Sequence, residues 1–364
     1  MPCTPKGAEP TLGKVTELVF VSAGLALDGG GRALAGRLLA GACERFARER
    51  GLGLSRIVLR ESGPFRKGRV AWRTAARQLA GGRAVVFDLL GLARVQAYLP
   101  RALRAPYLVA LYGLDVWQPL SWDRRRALRD ASVRFAISRY TLERARPVCG
   151  DLARTDVVPL TLEERAAAGV ADEELLARLG EGFLLLVARL AAAERYKGVD
   201  ELLDALAELP RARLVVAGAG DDRKRLADKA SRLGDRVVFT GFVSEATLAA
   251  LYDRCAAFVM PSTGEGFGLV YLEAMRAGKP VIAARGSAAE EIVVEGATGR
   301  LVDPEDRAEL AGAVAKLLAE PKRAKAMGEA GRKRYLEEFG YETFYRRMEG
   351  LLERLCAGST ASFG

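Results

Sequence analysis

Short apolar runs alternating with amphipathic segments constrain this chain more than any other feature of its sequence. In the second half, residues 183–188, 214–217, 237–239, 258–260 and 281–284 are apolar runs of strand length. Segments with helical spacing lie between them. In 199–209 the apolar residues fall at 199, 202, 203, 206 and 209, which puts them on one helix face. Residues 223–233, 245–255 and 269–277 read as further helices, the second capped by Ser244. A short β-like stretch at 300–302 and a helix over 307–319 follow. Strands and helices joined by brief Gly, Pro and Asp turns predict a parallel sheet covered on both faces.

The first half repeats the pattern. Residues 18–22 read as a strand that enters the loop Asp28-Gly29-Gly30-Gly31, and a helix is expected over about 32–50. Residues 56–59, 84–87, 107–111 and 134–137 read as strands, with helices over 124–130 and 140–146. The expectation is an α/β protein of two doubly wound, Rossmann-like domains facing each other across a cleft. A chain of 364 residues is long enough for both. The first domain is expected over 1–160 and the second over 181–340. Residues 161–180 read as a linker, with helix-prone stretches at 163–169 and 172–179. A strongly amphipathic helix is expected over 341–356, and 357–364 read as a tail.

Composition narrows the chemistry. The chain has no histidine, which removes the usual general base and the commonest metal ligand. Its five cysteines (Cys3, Cys43, Cys149, Cys255 and Cys356) form no CxxC pair, so neither a zinc site nor a disulfide framework is expected. No apolar run reaches the ~18 residues that cross a bilayer. Residues 1–14 lack the apolar core of a secretory signal, so the expected location is the cytoplasm. The net charge of +10 is uneven. Residues 1–170 carry 28 Lys+Arg against 15 Asp+Glu, a balance of +13, whereas 171–364 carry 28 against 31, a balance of −3. The basic half includes Arg66-Lys67-Gly68-Arg69 and Arg124-Arg125-Arg126. Such a surface suits an anionic substrate or an anionic membrane at its inner face, and equally a merely solubilising role. Nothing resembles a nucleic-acid-binding module, so nucleic acid is not an expected partner.

Ligands of open α/β sheets bind beyond the carboxyl ends of the strands. After residues 258–260 comes Pro261-Ser262-Thr263-Gly264-Glu265-Gly266-Phe267-Gly268-Leu269, which runs into a helix. Small residues let a ligand approach the backbone, and free amides at the helix start near Gly268 attract an anion. Glu265 lies in the loop and Glu273 further along the helix, where a carboxylate can accept both hydroxyls of a diol. Glu273 stands among Leu272, Ala274 and Met275, a poor setting for an idle charge. After 183–188 come Arg189 and then Lys197-Gly198. These cations can hold a diphosphate, although taken alone they read as surface charge. Gly29, Gly30 and Gly31 offer backbone amides to a phosphate, or a simple strand-to-helix turn. Gly218-Ala219-Gly220 lacks the third glycine of a dinucleotide fingerprint and reads as a turn.

With these residues assembled, the stretch 262–280, STGEGFGLVYLEAMRAGKP, resembles the E-x7-E signature of family 4 glycosyltransferases of bacterial type, which have the GT-B fold. The order Arg189, Lys197-Gly198, Thr240-Gly241-Phe242-Val243, Glu265 and Glu273, then Gly299–Pro304, is similar throughout. The resemblance covers about 183–339 well and the first half loosely. It implies retaining transfer of a sugar from a nucleotide diphosphate-sugar donor to an acceptor it does not identify. It also implies that Glu273 binds the ribose and Glu265 the sugar hydroxyls. Arg189 and Lys197 would clamp the diphosphate. Gly266 and the amides of Phe267, Gly268 and Leu269 would add donor contacts, Gly30 or Gly31 would approach from the other domain, and Val243 would lie near the base. No metal or other cofactor is implied. The last helix of such enzymes often returns to the first domain.

One position departs from the family. Where relatives carry a histidine after the strand at 107–111, this chain has Tyr112. Tyrosine donates a hydrogen bond but is a poor base at neutral pH. A retaining transfer need not use a side-chain base, because the leaving phosphate can take the acceptor proton. Asp115 is a nearby substitute. The departure keeps a second reading open, a nucleotide-sugar-binding protein with weak or no catalysis. A sugar-nucleotide epimerase or phosphorylase is a third.

Overall fold

A computed structural model describes residues 15–25, 30–59, 66–78, 81–164 and 169–358, with the backbone alone over 66–70. Contacts divide the chain into two compact units. The first comprises the chain up to Ile137, Thr141–Val158 and the chain from Phe344 on; the second comprises Ser138–Tyr140 and Pro159–Thr343.

The first unit holds β1 (Glu17–Ser22), β2 (Gly53–Val58), β3 (Arg83–Phe87), β4 (Tyr107–Leu111), β5 (Val133–Ala136) and β6 (Thr155–Val157). They form one parallel sheet in the order β2-β1-β3-β4-β5-β6. The strand order reverses between β1 and β3, which makes their carboxyl ends a topological switch point. β4 and β5 are buried along their whole length, and β1 and β3 beyond their first residue. Burial on both faces is why these strands read as unbroken apolar runs. Phe20, Phe46, Phe87 and Tyr107 are fully buried, each worth roughly 1.5–3 kcal/mol in apolar burial. The Phe87 and Tyr107 rings meet edge to face at 5.9 Å, and the Tyr107 hydroxyl donates to the Ala127 carbonyl at 2.6 Å.

Several details differ from expectation. The first helix runs Gly30–Glu49, so Gly30 and Gly31 open the helix instead of closing a loop. β6 was not expected, because three residues containing Thr155 and Asp156 give no apolar run. The helix Arg66–Gln78 was read only as a basic run, since arginine dominates its composition. Glu163 and Glu164 are not helical, and the rest of that expected stretch up to 168 lies outside the described residues, as do 1–14 and 359–364.

The helix Tyr341–Cys356 buries Phe344, Tyr345, Met348, Leu351, Leu352 and Leu355 on one stripe. From Phe344 on it belongs to the first unit. The Tyr345 hydroxyl donates to Glu49, Arg50 pairs with Glu353 and with Glu349 at 3.1 Å, and the Arg45 guanidinium lies 3.9 Å above the Tyr345 ring.

The second unit holds β7 (Leu184–Val187), β8 (Leu214–Ala217), β9 (Val237–Gly241), β10 (Ala257–Met260), β11 (Val281–Ala284) and β12 (Gly299–Val302). The parallel order is β12-β11-β10-β7-β8-β9. The chain winds outward from β7 to β9, then returns past β7 to lay down β10, so the switch point lies between β7 and β10. This is the strand order of dinucleotide-binding domains. Ser244 caps the helix Glu245–Arg254 by accepting from the Thr247 amide at 3.1 Å. Asp172 and Asp306 cap the helices Glu173–Leu179 and Arg307–Ala319 in the same way. The helix Pro321–Arg334 was not expected. Its glycines weaken the helical signal, yet a Cβ at Gly328 would lie 1.9 Å from the Gly278 carbonyl oxygen. Close approach of two backbones, not propensity, selects that residue. Among the described residues no helix is long and apolar enough to cross a membrane.

Candidate active site

The loops that follow β7 and β10 interlock at the switch point of the second unit. Gly198 has φ +77°, and a Cβ there would lie 2.6 Å from the Pro261 carbonyl oxygen. A Cβ at Gly264 would lie 2.5 Å from the Tyr196 ring. The Thr263 amide donates to the Tyr196 carbonyl at 3.0 Å. Across this joint the Lys197 ammonium pairs with the Glu265 carboxylate, and the buried Ser262 hydroxyl also donates to Glu265, at 3.4 Å. Thus two of the residues expected to hold the donor touch each other.

The loop that carries Lys197 is anchored from behind. Its Ala192 amide donates to Asp221 at 2.8 Å, and Arg195 makes two bonds of 3.1 Å to the buried Asp222. Arg225 bridges Asp222 and Asp200. Hydrogen bonds from Arg225 and then Arg195 hold the Asp222 carboxyl well below the usual range. Bonds from Arg225, with Lys229 beyond it, bring Asp200 down to about 2. Such a network fixes the loop before any ligand arrives.

The other candidates are distributed around this joint. Arg189 pairs with Glu194, and its side chain is 71% exposed. Glu273 accepts from the Tyr252 hydroxyl at 2.8 Å. Burial raises the Glu273 carboxyl above its ordinary value, against the lowering effects of Tyr252 and Arg276. Glu245 also raises it, which places the start of the helix Glu245–Arg254 near Glu273. Val243, partly exposed, lies just before that helix. The Phe267 side chain is buried against Phe339, with ring centroids 6.2 Å apart, so only its backbone can serve a ligand. Gly268 has φ +99° and begins the helix Leu269–Arg276 without a side-chain cap. Gly266 and Leu269, on either side, are partly exposed. Gly218 and Gly220 do more than turn the chain, because Cβ atoms there would lie 1.9 Å and 2.0 Å from the Ala188 and Leu190 carbonyl oxygens.

In the first unit Gly30 and Gly31 are exposed at a helix start, while Gly29 lies outside the described residues. Tyr112 follows β4. Its hydroxyl is buried and, among the described residues, has no hydrogen-bond partner. Burial, then Asp88 and Asp115, push its ionisation well above the ordinary tyrosine value, so it cannot act as a base near neutral pH. Asp115 accepts from the Tyr112 amide at 3.1 Å with one oxygen, and its other oxygen is buried without a partner among the described residues. Asp88 follows β3, at the switch point of this sheet. It accepts from the Ser22 hydroxyl at 2.5 Å and the Ala23 amide at 3.1 Å. Burial pushes both Asp88 and Asp115 up to about 6. The sequence reading missed Asp88, although its place immediately after a strand marks it. Tyr196 and Tyr252 gave no sequence signal, because their roles depend on contacts across separate loops and helices.

Comparison with known proteins decides the family. A GDP-mannose-dependent alpha-(1-6)-phosphatidylinositol monomannoside mannosyltransferase of Mycolicibacterium smegmatis is 35% identical over 293 residues, which are 74% of this chain and 75% of that protein. The profile of the glycosyl transferases of group 1 matches residues 171–334. The chain belongs to the group 1 glycosyltransferases. A glycogen synthase of Mycobacterium tuberculosis is 38% identical to this glycosyltransferase over 177 residues, 46% of the chain and 41% of that enzyme. The structure of sucrose-phosphate synthase from Thermosynechococcus elongatus superimposes with a TM-score of 0.79 at 24% identity, covering 94% of this chain and all of that one. The glycosyltransferase therefore has the GT-B fold of two Rossmann-like domains, and its family uses nucleotide-sugar donors. The profile match lies entirely within the second unit, which carries the interlocked loops.

Proposed function

We propose that this glycosyltransferase is a retaining, metal-independent hexosyltransferase. The observation that carries the reading is the Lys197–Glu265 pair at the switch point of the second sheet, with Glu273 on the helix that follows. Glu273 accepts the ribose hydroxyls and Val243 lies against the base. Lys197 and Arg189 bind the diphosphate, Arg189 by leaving Glu194, with the amides at Gly266–Leu269 beside them. Glu265, relieved of Lys197, accepts hydroxyls of the transferred sugar. In the transfer, the bond between the anomeric carbon and the diphosphate oxygen breaks. The acceptor oxygen bonds to that carbon on the same face, and the acceptor proton passes to the leaving diphosphate. Lysine, arginine and helix-start amides stabilise the charge that develops there.

The name of the Mycolicibacterium smegmatis relative supports GDP-mannose as the first donor to test and a lipid-linked polyol as the first acceptor class. The +13 balance of residues 1–170 supports an acceptor held at an anionic membrane surface. Family membership favours a working transferase over a protein that only binds nucleotide sugars. The experiment is incubation with GDP-, UDP- and ADP-sugars and a panel of polyol and lipid acceptors, read as release of nucleoside diphosphate and as anomeric configuration of the product. Inverted configuration would refute the retaining reading. Unchanged donor binding in Glu273→Ala would refute the site.

A further inference from the structure

A second feature of this unit lies away from the interlocked loops. A cavity of 610 Å³ runs along β9, the edge strand of the sheet, and is lined by four arginines: Arg178, Arg213, Arg223 and Arg236. It shares no residue with the candidate active site. Its volume lies within the range of small-molecule sites. Val237 and Phe239, both partly exposed, give it an apolar wall.

The arginines of this cavity differ from several other arginines of the unit in one respect. Arg195, Arg225, Arg232, Arg254, Arg285 and Arg307 all pair with carboxylates. Among the described residues, none of the four cavity arginines does. Three of them are steered by backbone carbonyls instead. Arg213 donates to Leu179 at 2.9 Å, Arg236 to Leu209 at 2.8 Å and Arg223 to Phe239 at 3.3 Å. A carbonyl orients a guanidinium without neutralising it, and each group keeps donors free. Asp235 is the one carboxylate among the lining residues. Four cations face one acid here, in a half of the chain whose balance is −3. Guanidinium groups so placed recognise phosphoryl oxygens by paired hydrogen bonds.

We propose that this cavity is a binding site for a small organic phosphate, distinct from the donor site. The arginines hold the phosphoryl group, and the body of the ligand lies against Val237 and Phe239. A sugar phosphate and a nucleoside monophosphate share this chemistry, and the test separates them. The full chain is titrated with inorganic phosphate, a hexose 6-phosphate and AMP, by calorimetry and thermal shift. The same titrations follow for Arg178→Gln/Arg223→Gln, whose side chains are exposed, and for Glu273→Ala. The expected result is binding of one organic phosphate at least tenfold tighter than inorganic phosphate. It weakens at least tenfold in the arginine double variant and is unchanged in Glu273→Ala. GDP binding by the arginine double variant stays as in the parent chain. Absence of binding by every probe overturns the proposal. So does affinity that survives loss of both arginines, or that disappears in Glu273→Ala, which would assign the phosphate to the donor site. Equal affinity for inorganic and organic phosphate overturns the role of the apolar wall.

Discussion

The Lys197 ammonium and the Glu265 carboxylate, carried by different loops of the second unit, satisfy each other. Both side chains are largely withdrawn from solvent, at 16% and 15% exposure, so neither charge is well screened. On the proposed function, an incoming diphosphate competes with Glu265 for Lys197. Removing the two partners therefore has opposite effects on nucleotide affinity. Lys197→Ala should weaken GDP binding at least tenfold. Glu265→Gln should tighten GDP binding while lowering turnover by about 10²–10³, the usual scale for losing a group that acts on the transition state. Calorimetry with GDP and steady-state rates check both; weaker GDP binding in Glu265→Gln would contradict the competition.

On the proposed function, Glu273 is ionised when it accepts both hydroxyls of a ribose. Burial raises its folded pKa above the ordinary 4.5, and the Tyr252 hydrogen bond pulls it back. Nucleotide affinity should fall as pH drops through this raised value. Tyr252→Phe removes the lowering contribution, so the fall should begin at higher pH. The same raised pKa means that Glu273 itself subtracts stability as pH rises from 4.5 through its folded pKa. Nucleotide dissociation constants measured against pH, for the parent chain and Tyr252→Phe, check the direction. A curve that moves to lower pH in the variant would count against it.

Asp88 and Asp115 make a related prediction for the first unit. Both titrate at about 6 in the folded chain, against 3.8 unfolded, because burial disfavours their charge. Between those values the folded state holds protons that the unfolded state has released. Stability should therefore decline as pH rises from 3.8 to about 6, and remain lower above it. Each carboxyl contributes about 3 kcal/mol to that decline. In Asp115→Asn the decline should be roughly halved, and stability above that window should rise. Denaturant unfolding of the full chain across this range checks it, provided the transition of the first unit is resolved.

Much of this was legible in the sequence because the information is local. A parallel strand buried on both faces writes an unbroken apolar run, so β1, β4, β7, β8 and β11 stand out. Each candidate of the second unit sits within a few residues of such a strand, which brings Lys197, Glu265 and Glu273 into view. What stayed hidden depends on meetings between distant segments. Nothing in the sequence says that Gly264 is required by Tyr196, or that Tyr252 will reach Glu273. The helix Pro321–Arg334 escaped because Gly328 is chosen for contact with Gly278 at the expense of helix propensity. Arg189 looks equivalent to Lys197 from its position after β7, and nothing in the sequence says that it pairs with Glu194 while Lys197 pairs with Glu265.

The buried Tyr112 hydroxyl separates stability from function. It has no partner among the described residues, and an unsatisfied buried hydroxyl costs about 1–3 kcal/mol. Tyr112→Phe removes that cost and keeps the ring, so the variant should be more stable than the parent chain. If the hydroxyl serves only packing, turnover will not change. We propose instead that it is held unpaired so that it can donate to a sugar hydroxyl once substrates are bound, and Tyr112→Phe should then lower kcat by about 10-fold, the loss of one neutral hydrogen bond. Tyr112→His restores a donor at that place and should recover part of the loss. Its imidazole would also add a titration near neutral pH that the histidine-free chain lacks. Thermal unfolding and the pH profile of kcat for the three proteins distinguish the cases. A Tyr112→Phe variant that is both less stable and fully active would remove Tyr112 from the site.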